Sequence, residues 1–261
     1  MDHINKTLYI PLFGKSFVSK KGIILNDPKA EEIWAAEGFP LKGKSASKWL
    51  AYYMGMRSAV FDRWVAKKIK ENPDVPVLHL GCGMDSRALR VKHSAVWFDV
   101  DFPEVISQRR LYYAESETYK MIPSDIRESA WLDRIAGDSA IVVMEGISMY
   151  LKPEELKAVL GNLTGRFEKV WILMDCYTLF AAKASKYRNP INDVGVTEVY
   201  GLDDPTELTG THLRFAGSHE ITPQDLIDQL LGMEKKIFRK LYAGKIADRM
   251  YRLYEFEGGS Q

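Results

Sequence analysis

The sequence predicts an α/β fold: a parallel sheet with helices on both faces, preceded by a helical region and closed by a reversed strand. Three observations carry this. From Val75 onward, short apolar runs alternate with segments of helical periodicity, and such alternation builds a parallel sheet covered on both sides. The first run, Val77-Leu78-His79-Leu80, passes directly into Gly81-Cys82-Gly83; glycines so placed mark a tight turn at the carboxyl end of a first strand, where open α/β sheets hold their ligands. The last segment, Met250-Tyr251-Arg252-Leu253-Tyr254-Glu255-Phe256, alternates polar and apolar residues, as a half-exposed antiparallel strand does.

Taken in order, residues 7–24 read as an irregular, solvated arm, interrupted by Pro11 and Gly14 and made basic by Lys15, Lys20 and Lys21. Asn26-Asp27-Pro28 starts a helix, with a capping side chain followed by proline at the first helical position. Apolar residues then recur at helical spacing from Ile33 and Trp34 through Trp49, Tyr53, Val60, Trp64 and Ile69. Strands are expected at about 76–80, 95–100, 119–122, 139–144 and 169–175, and helices at about 86–92, 103–117, 128–136, 153–166 and 177–186. Residues 187–220 lose periodicity and are rich in Gly, Asn, Asp and Pro; such a stretch is a substrate loop or lid, or equally a surface excursion. Thr222 is placed to cap a further helix that begins at Pro223-Gln224.

A chain of 261 residues, 46% hydrophobic, is long enough for one well-buried domain or for one domain with a cap, and length does not separate the two. A net charge of +1 gives no electrostatic case for nucleic acid or an anionic membrane surface. Two cysteines, Cys82 and Cys176, neither space as metal ligands nor form a disulfide framework, which points to a reducing, cytoplasmic setting. No stretch is long and apolar enough to cross a bilayer, so the Asn-x-Thr triplets at Asn5 and Asn162 read as chance matches. Oligomeric state is not written in the sequence.

The chemistry depends on what the glycine turn holds. A dinucleotide fingerprint needs a third Gly or Ala where this chain has Ser86, and Asp85 would set a negative charge beside a pyrophosphate. S-adenosylmethionine has no phosphate. It presents a sulfonium, an ammonium, a carboxylate, ribose hydroxyls and an adenine edge, and acidic residues at strand ends suit those donors. The second strand ends in Asp99-Val100-Asp101, about twenty residues past the glycines, where an acidic ribose ligand is expected. Asp125 follows the third strand and Glu145 the fourth.

Arg57 with Asp62, Leu80-Gly81-Cys82-Gly83-Met84-Asp85-Ser86-Arg87, Asp99-Val100-Asp101-Phe102-Pro103-Glu104-Val105, Ser124-Asp125-Ile126-Arg127 and Glu145-Gly146-Ile147-Ser148-Met149-Tyr150-Leu151 together resemble the leucine carboxyl methyltransferase family, and within it the bacterial O-methyltransferases of the polyketide-biosynthesis type. The resemblance runs in order from Thr7 to the final strand and is weakest over 183–220. It implies a class I methyltransferase, Rossmann-like: a seven-stranded sheet with the last strand antiparallel, helices on both faces and an N-terminal helical cap. The implied layout is one domain over 1–261, divided into arm and cap (1–73), cofactor-binding core (74–186), substrate loop or lid (187–220) and C-terminal helix and strands (221–261).

On the same resemblance, Arg57 pairs with the methionine carboxylate of S-adenosylmethionine, assisted by Lys15. The turn Gly81, Cys82 and Gly83 lets the backbone approach the methionine end. Asp101, followed by Phe102, binds the ribose hydroxyls, with Asp99 an open alternative because alternate residues of a strand face opposite ways. Asp125 and Ile126 hold the adenine, and Glu145 and Gly146 lie beside the transferring methyl. Asp85 and Arg87 brace the turn. Plainer readings stand beside these: Arg57 in an ion pair with Asp62 or another acid, Cys82 a small turn residue, His79 an interior histidine, Tyr150 and Tyr177 core or pocket wall. His212 and His219 are the histidines considered as bases.

The implied reaction is displacement of methyl from sulfur by an acceptor oxygen, leaving S-adenosylhomocysteine, with no metal. A carboxylate acceptor is already ionised at neutral pH, whereas a hydroxyl usually needs a base; no base stands out, which favours a carboxylate of a small molecule or peptide C-terminus. The rival readings are an NAD-dependent oxidoreductase on a related fold and a non-catalytic S-adenosylmethionine-binding module.

Overall fold

A computed structural model of the chain describes residues 7–188 and 198–260. Asn5 and residues 189–197 of the expected loop lie outside the described residues. Three helices come first: α1 (Tyr9–Lys20), α2 (Pro28–Glu37) and α3 (Lys48–Glu71). The sheet region follows as β1 (Val77–Leu80), α4 (Arg87–Arg90), β2 (Trp97–Asp101), α5 (Pro103–Arg109), β3 (Tyr119–Pro123), β4 (Ser139–Met144), α6 (Pro153–Arg166), β5 (Lys169–Tyr177), α7 (Leu179–Arg188), β6 (Leu213–His219), α8 (Gln224–Ile227), α9 (Gly232–Leu241), α10 (Lys245–Asp248) and β7 (Tyr251–Gly258).

The strands form one seven-stranded sheet in the order β3-β2-β1-β4-β5-β7-β6. β1 to β5 run parallel, and β7 inserts antiparallel between β5 and β6, with Tyr177 opposite Tyr251 and Val170 opposite Gly258. This is the class I methyltransferase arrangement with its reversed final strand. Central strands are buried on both faces, so β4 reads as a continuous apolar run from Ala140 and β1 as one broken only by His79. Val77, Ile141 and Leu173 pack under α1 to α3 on one side; Leu78, Val142 and Ile172 pack with Leu156, Leu160 and Leu163 of α6 on the other. Asp27 caps α2 by accepting the Ala30 N–H at 2.9 Å, with Pro28 in the first turn.

The arm expected over 7–24 is a helix, and most of it is buried. Pro11 falls in its first turn, where backbone N–H groups have no helical partner to lose. Gly14 is a packing notch: a Cβ there would stand 2.6 Å from Met54 Cβ of α3, and one at Gly55 would stand 2.8 Å from Val18 of α1. The two glycines let the helix backbones approach, which turns an apparent breaker into an interface. Four further expectations are corrected. Residues 213–219 of the aperiodic stretch form β6, whose alternation is interrupted by a register shift between Phe215 and Gly217. Thr222 does not cap a helix: α8 begins at Gln224 behind Pro223, and the Thr222 hydroxyl is buried without a partner. The expected helix at 128–136 is a 3₁₀ turn over Ala130–Arg134, and that at 103–117 stops at Arg109.

Candidate active site

The carboxyl ends of β1, β2, β3 and β4 open into one cavity, roofed by the first turns of α1. Lys15, Arg57, Gly81, Cys82, Gly83, Asp101, Phe102, Asp125, Ile126, Glu145 and Gly146 all line it. Residues that lie more than a hundred positions apart in sequence therefore share one surface.

The turn after β1 needs its glycines. Gly81 has φ +63° and Gly83 φ +49°, and a Cβ at Gly81 would overlap Ile147 Cγ2. Asp101, at the end of the neighbouring strand, accepts the Gly83 N–H at 2.7 Å and the Phe102 N–H at 2.8 Å. Burial pushes its carboxyl up to about 6, against those two N–H groups. Asp99 is different: it is fully buried, tied to Arg109, to the Tyr119 hydroxyl at 2.5 Å and to Trp97 Nε1 at 2.9 Å, and does not line the cavity. Arg109, which sequence reasoning passed over, holds the turn from below by donating to the carbonyls of Gly83 at 2.9 Å and Asp85 at 2.6 Å. Its sequence signal is slight, one of two adjacent arginines at a helix end.

Beside the turn lies a buried ion network. Lys15 pairs with Asp85 at 2.9 Å, and Asp85 also with Arg90 at 2.9 Å. Arg87 joins Asp62 at 2.6 Å to Glu145, and Arg57 bridges Glu145 at 3.0 Å and Asp175 at 2.8 Å. Arg57 thus pairs with Glu145 and Asp175, while Asp62 serves Arg87 and Arg90. Asp85 and Arg87 brace the turn in this network. Burial alone would raise Glu145, but Arg87, Arg57 and Lys15 outweigh it and hold the carboxyl at about 2. Asp85 is likewise held well below the ordinary carboxylate range, burial being overcome by Arg87, Arg90 and Lys15.

Just past β3, Asp125 accepts both the backbone N–H and the guanidinium of Arg127, and that guanidinium also reaches Glu155 at 3.0 Å. Burial would raise Asp125, and these hydrogen bonds lower it. Across the cavity stand Tyr150, Tyr177 and Tyr251, the last two with rings 4.6 Å apart. Cys82 is a buried turn residue whose thiol burial pushes well above its usual value, so it stays protonated. His79 is buried at the cavity wall, with Nδ1 3.2 Å from Asp99. Neither His212 nor His219 lines the cavity; His219 sits on β6, 2.7 Å from Glu255, which removes both as bases at this site.

The donor set fits a phosphate-free cofactor better than a dinucleotide. The Gly83 N–H that would face a pyrophosphate is given to Asp101, and Asp85 and Glu145 add negative charge nearby. An ionised carboxylate has about four acceptor sites; backbone donors take two of Asp101's, so it keeps capacity for hydroxyl donors.

The family model for leucine carboxyl methyltransferase matches residues 5–164. The chain belongs to the leucine carboxyl methyltransferase family. A relative in Streptomyces glaucescens, the tetracenomycin polyketide synthesis O-methyltransferase TcmP, is 30% identical over 189 residues, 71% of this chain and 70% of its own. The S-adenosyl-L-methionine-dependent methyltransferase dpfgK of Gibberella zeae is 27% identical over 235 residues, covering 80% and 78% of the two chains. Magnesium protoporphyrin IX methyltransferase of Synechocystis PCC 6803, solved with S-adenosylhomocysteine, shares the fold at TM-score 0.52 and 12% identity over 90% of this chain and 95% of that one. As a member of its family, the chain is an S-adenosylmethionine-dependent methyltransferase.

Proposed function

We propose that the enzyme is an O-methyltransferase acting on a carboxylate oxygen of a small molecule or peptide C-terminus. The observation that carries this is the set of titratable groups in the cavity. Among the described residues lining it, Glu145, Asp85 and Asp125 are held below their ordinary values, which makes them weak bases. Tyr150 and Tyr251 are pushed up by burial and keep their protons. Asp101, raised by burial to about 6, is engaged by two backbone N–H groups, and His79, which also lines the cavity, is buried with Nδ1 3.2 Å from Asp99. A site with these groups suits an acceptor that arrives already ionised, as a carboxylic acid does at neutral pH.

S-adenosylmethionine supplies the activated methyl group. Arg57, assisted by Lys15, binds its carboxylate; a planar guanidinium suits that geometry. Asp101 accepts the ribose hydroxyls. Asp125 and Ile126 receive the adenine beside Phe102, and the Gly81-Cys82-Gly83 turn brings backbone close to the methionine end. Glu145 and Gly146 line the transfer point, held by Arg57 and Arg87. The protein's contribution is alignment and exclusion of water around a leaving group that is reactive by itself.

The test has two parts. Calorimetric titration is expected to show binding of S-adenosylmethionine and S-adenosylhomocysteine but not NAD, weakened about tenfold or more in Asp101→Asn and Arg57→Lys. Methyl-labelled cofactor is then offered with carboxylic acids and phenols. Label released as methanol by alkali marks an ester and supports the reading; alkali-stable label marks an ether and overturns the carboxylate assignment. Cofactor binding without transfer to any acceptor favours the binding module.

A further inference from the structure

β5 carries one charged residue inside an otherwise apolar run, Asp175 between Met174 and Cys176. It is fully buried and does not line the cavity, so it touches no ligand placed there. Its contacts reach two separate pieces of the site, α3 and the segment that follows β4. Oδ1 accepts the Gly146 N–H at 2.6 Å, Oδ2 accepts the Arg57 Nη1–H at 2.8 Å, and its backbone carbonyl accepts the Ser148 hydroxyl. Gly146 has φ +74°, and a Cβ there would stand 3.2 Å from Arg57 Nη2.

We propose that Asp175 is a positioning residue for cofactor binding: it locks the Arg57 guanidinium and the Glu145–Gly146 turn into one rigid unit. This rests on the reading of Arg57 as the partner of the cofactor's carboxylate. Glu145 alone holds Arg57 at Nε, a single point about which a planar group can still pivot. The second grip at Nη1 fixes the plane and leaves the Nη2 edge against Gly146. Burial raises the Asp175 carboxyl while Arg57 works against it, and an acid buried inside an apolar strand is costly. Keeping the acid is explained by what it holds.

Asp175→Asn preserves shape and leaves an oxygen for the Gly146 N–H, but turns a donor toward Arg57. Asp175→Asn is expected to melt within a few degrees of the parent and to bind S-adenosylhomocysteine about 10- to 100-fold more weakly, the scale of losing one hydrogen bond to a charged group. In the Arg57→Lys background the same change is expected to add less than about twofold, because both act through one group. Parent-like affinity, or full additivity, overturns the proposal while leaving the Arg57 reading intact. Parent-like affinity in Arg57→Lys alone overturns that reading and the proposal with it. If Asp175→Asn does not fold, Asp175→Glu keeps the charge but cannot hold Arg57 and the Gly146 N–H at the same spacing, and parent-like affinity there overturns the proposal.

Discussion

Two carboxylates separated by one residue, Asp99 and Asp101, take opposite fates, and their surroundings explain why. Asp99 spends itself on Arg109, Tyr119 and Trp97 and is sealed; Asp101 ends the strand and faces the cavity. Folding raises the Asp101 carboxyl from 3.8 to about 6, mainly by burial, so the folded state prefers its protonated form. Its stability contribution is fully present below about pH 4 and is lost as pH rises through 6. Hydroxyl donors need the ionised form, so affinity follows the opposite sign. S-adenosylhomocysteine affinity is expected to be flat above about pH 7 and to weaken toward tenfold per unit below 6. Calorimetry from pH 5 to 8 checks this; a profile unchanged in Asp101→Asn would exclude Asp101 as the titrating group. Asp101 and Arg57 were legible because each stands in a motif. Arg109 and Asp175 were not, since a lone charge in a helix or strand does not say which neighbour it meets.

At the scale of elements, α1 carries the largest correction. Composition described residues 7–24 as a basic, broken arm, yet Lys15 is 3% exposed because Asp85 receives it at 2.9 Å. The helix depends on the close crossing at Gly14 and Gly55. Gly14→Ala places a carbon 2.6 Å from Met54 Cβ, and overpacking of this kind costs about 1–3 kcal/mol. The expected outcome is a lowered melting temperature together with weaker S-adenosylhomocysteine binding, because the same helix roofs the cavity. A loss of stability with affinity unchanged would show that the roof is not part of the cofactor site. β6 was overlooked for a related reason: as an edge strand interrupted by a register shift near Gly217, it has little apolar periodicity to display.

For the molecule as a whole, the cavity is built where α1, α3 and four strand ends converge, so a ligand bound there joins the helical cap to the sheet. Saturation with S-adenosylhomocysteine at a hundred times its Kd is expected to add about 2.7 kcal/mol to stability, a rise of several degrees for a chain of this size. Thermal melts with and without the ligand measure it, and NAD at equal concentration is expected to leave the midpoint unchanged. A shift with NAD alone would revive the oxidoreductase reading.

The sequence by itself determined the alternation of strands and helices, the glycine turn, the acids at strand ends and, through its motifs, the family. These are local signals, written in periodicity and in residues whose backbone demands cannot be met otherwise. Tertiary structure alone decided that Asp99 is sealed beneath Arg109, that a basic arm becomes a buried helix, and that Arg57 is gripped by Glu145 and Asp175. The physical reason is that a buried charge is stable only beside its partners, and those partners come from distant parts of the chain, brought together by the packing of the sheet against its helices.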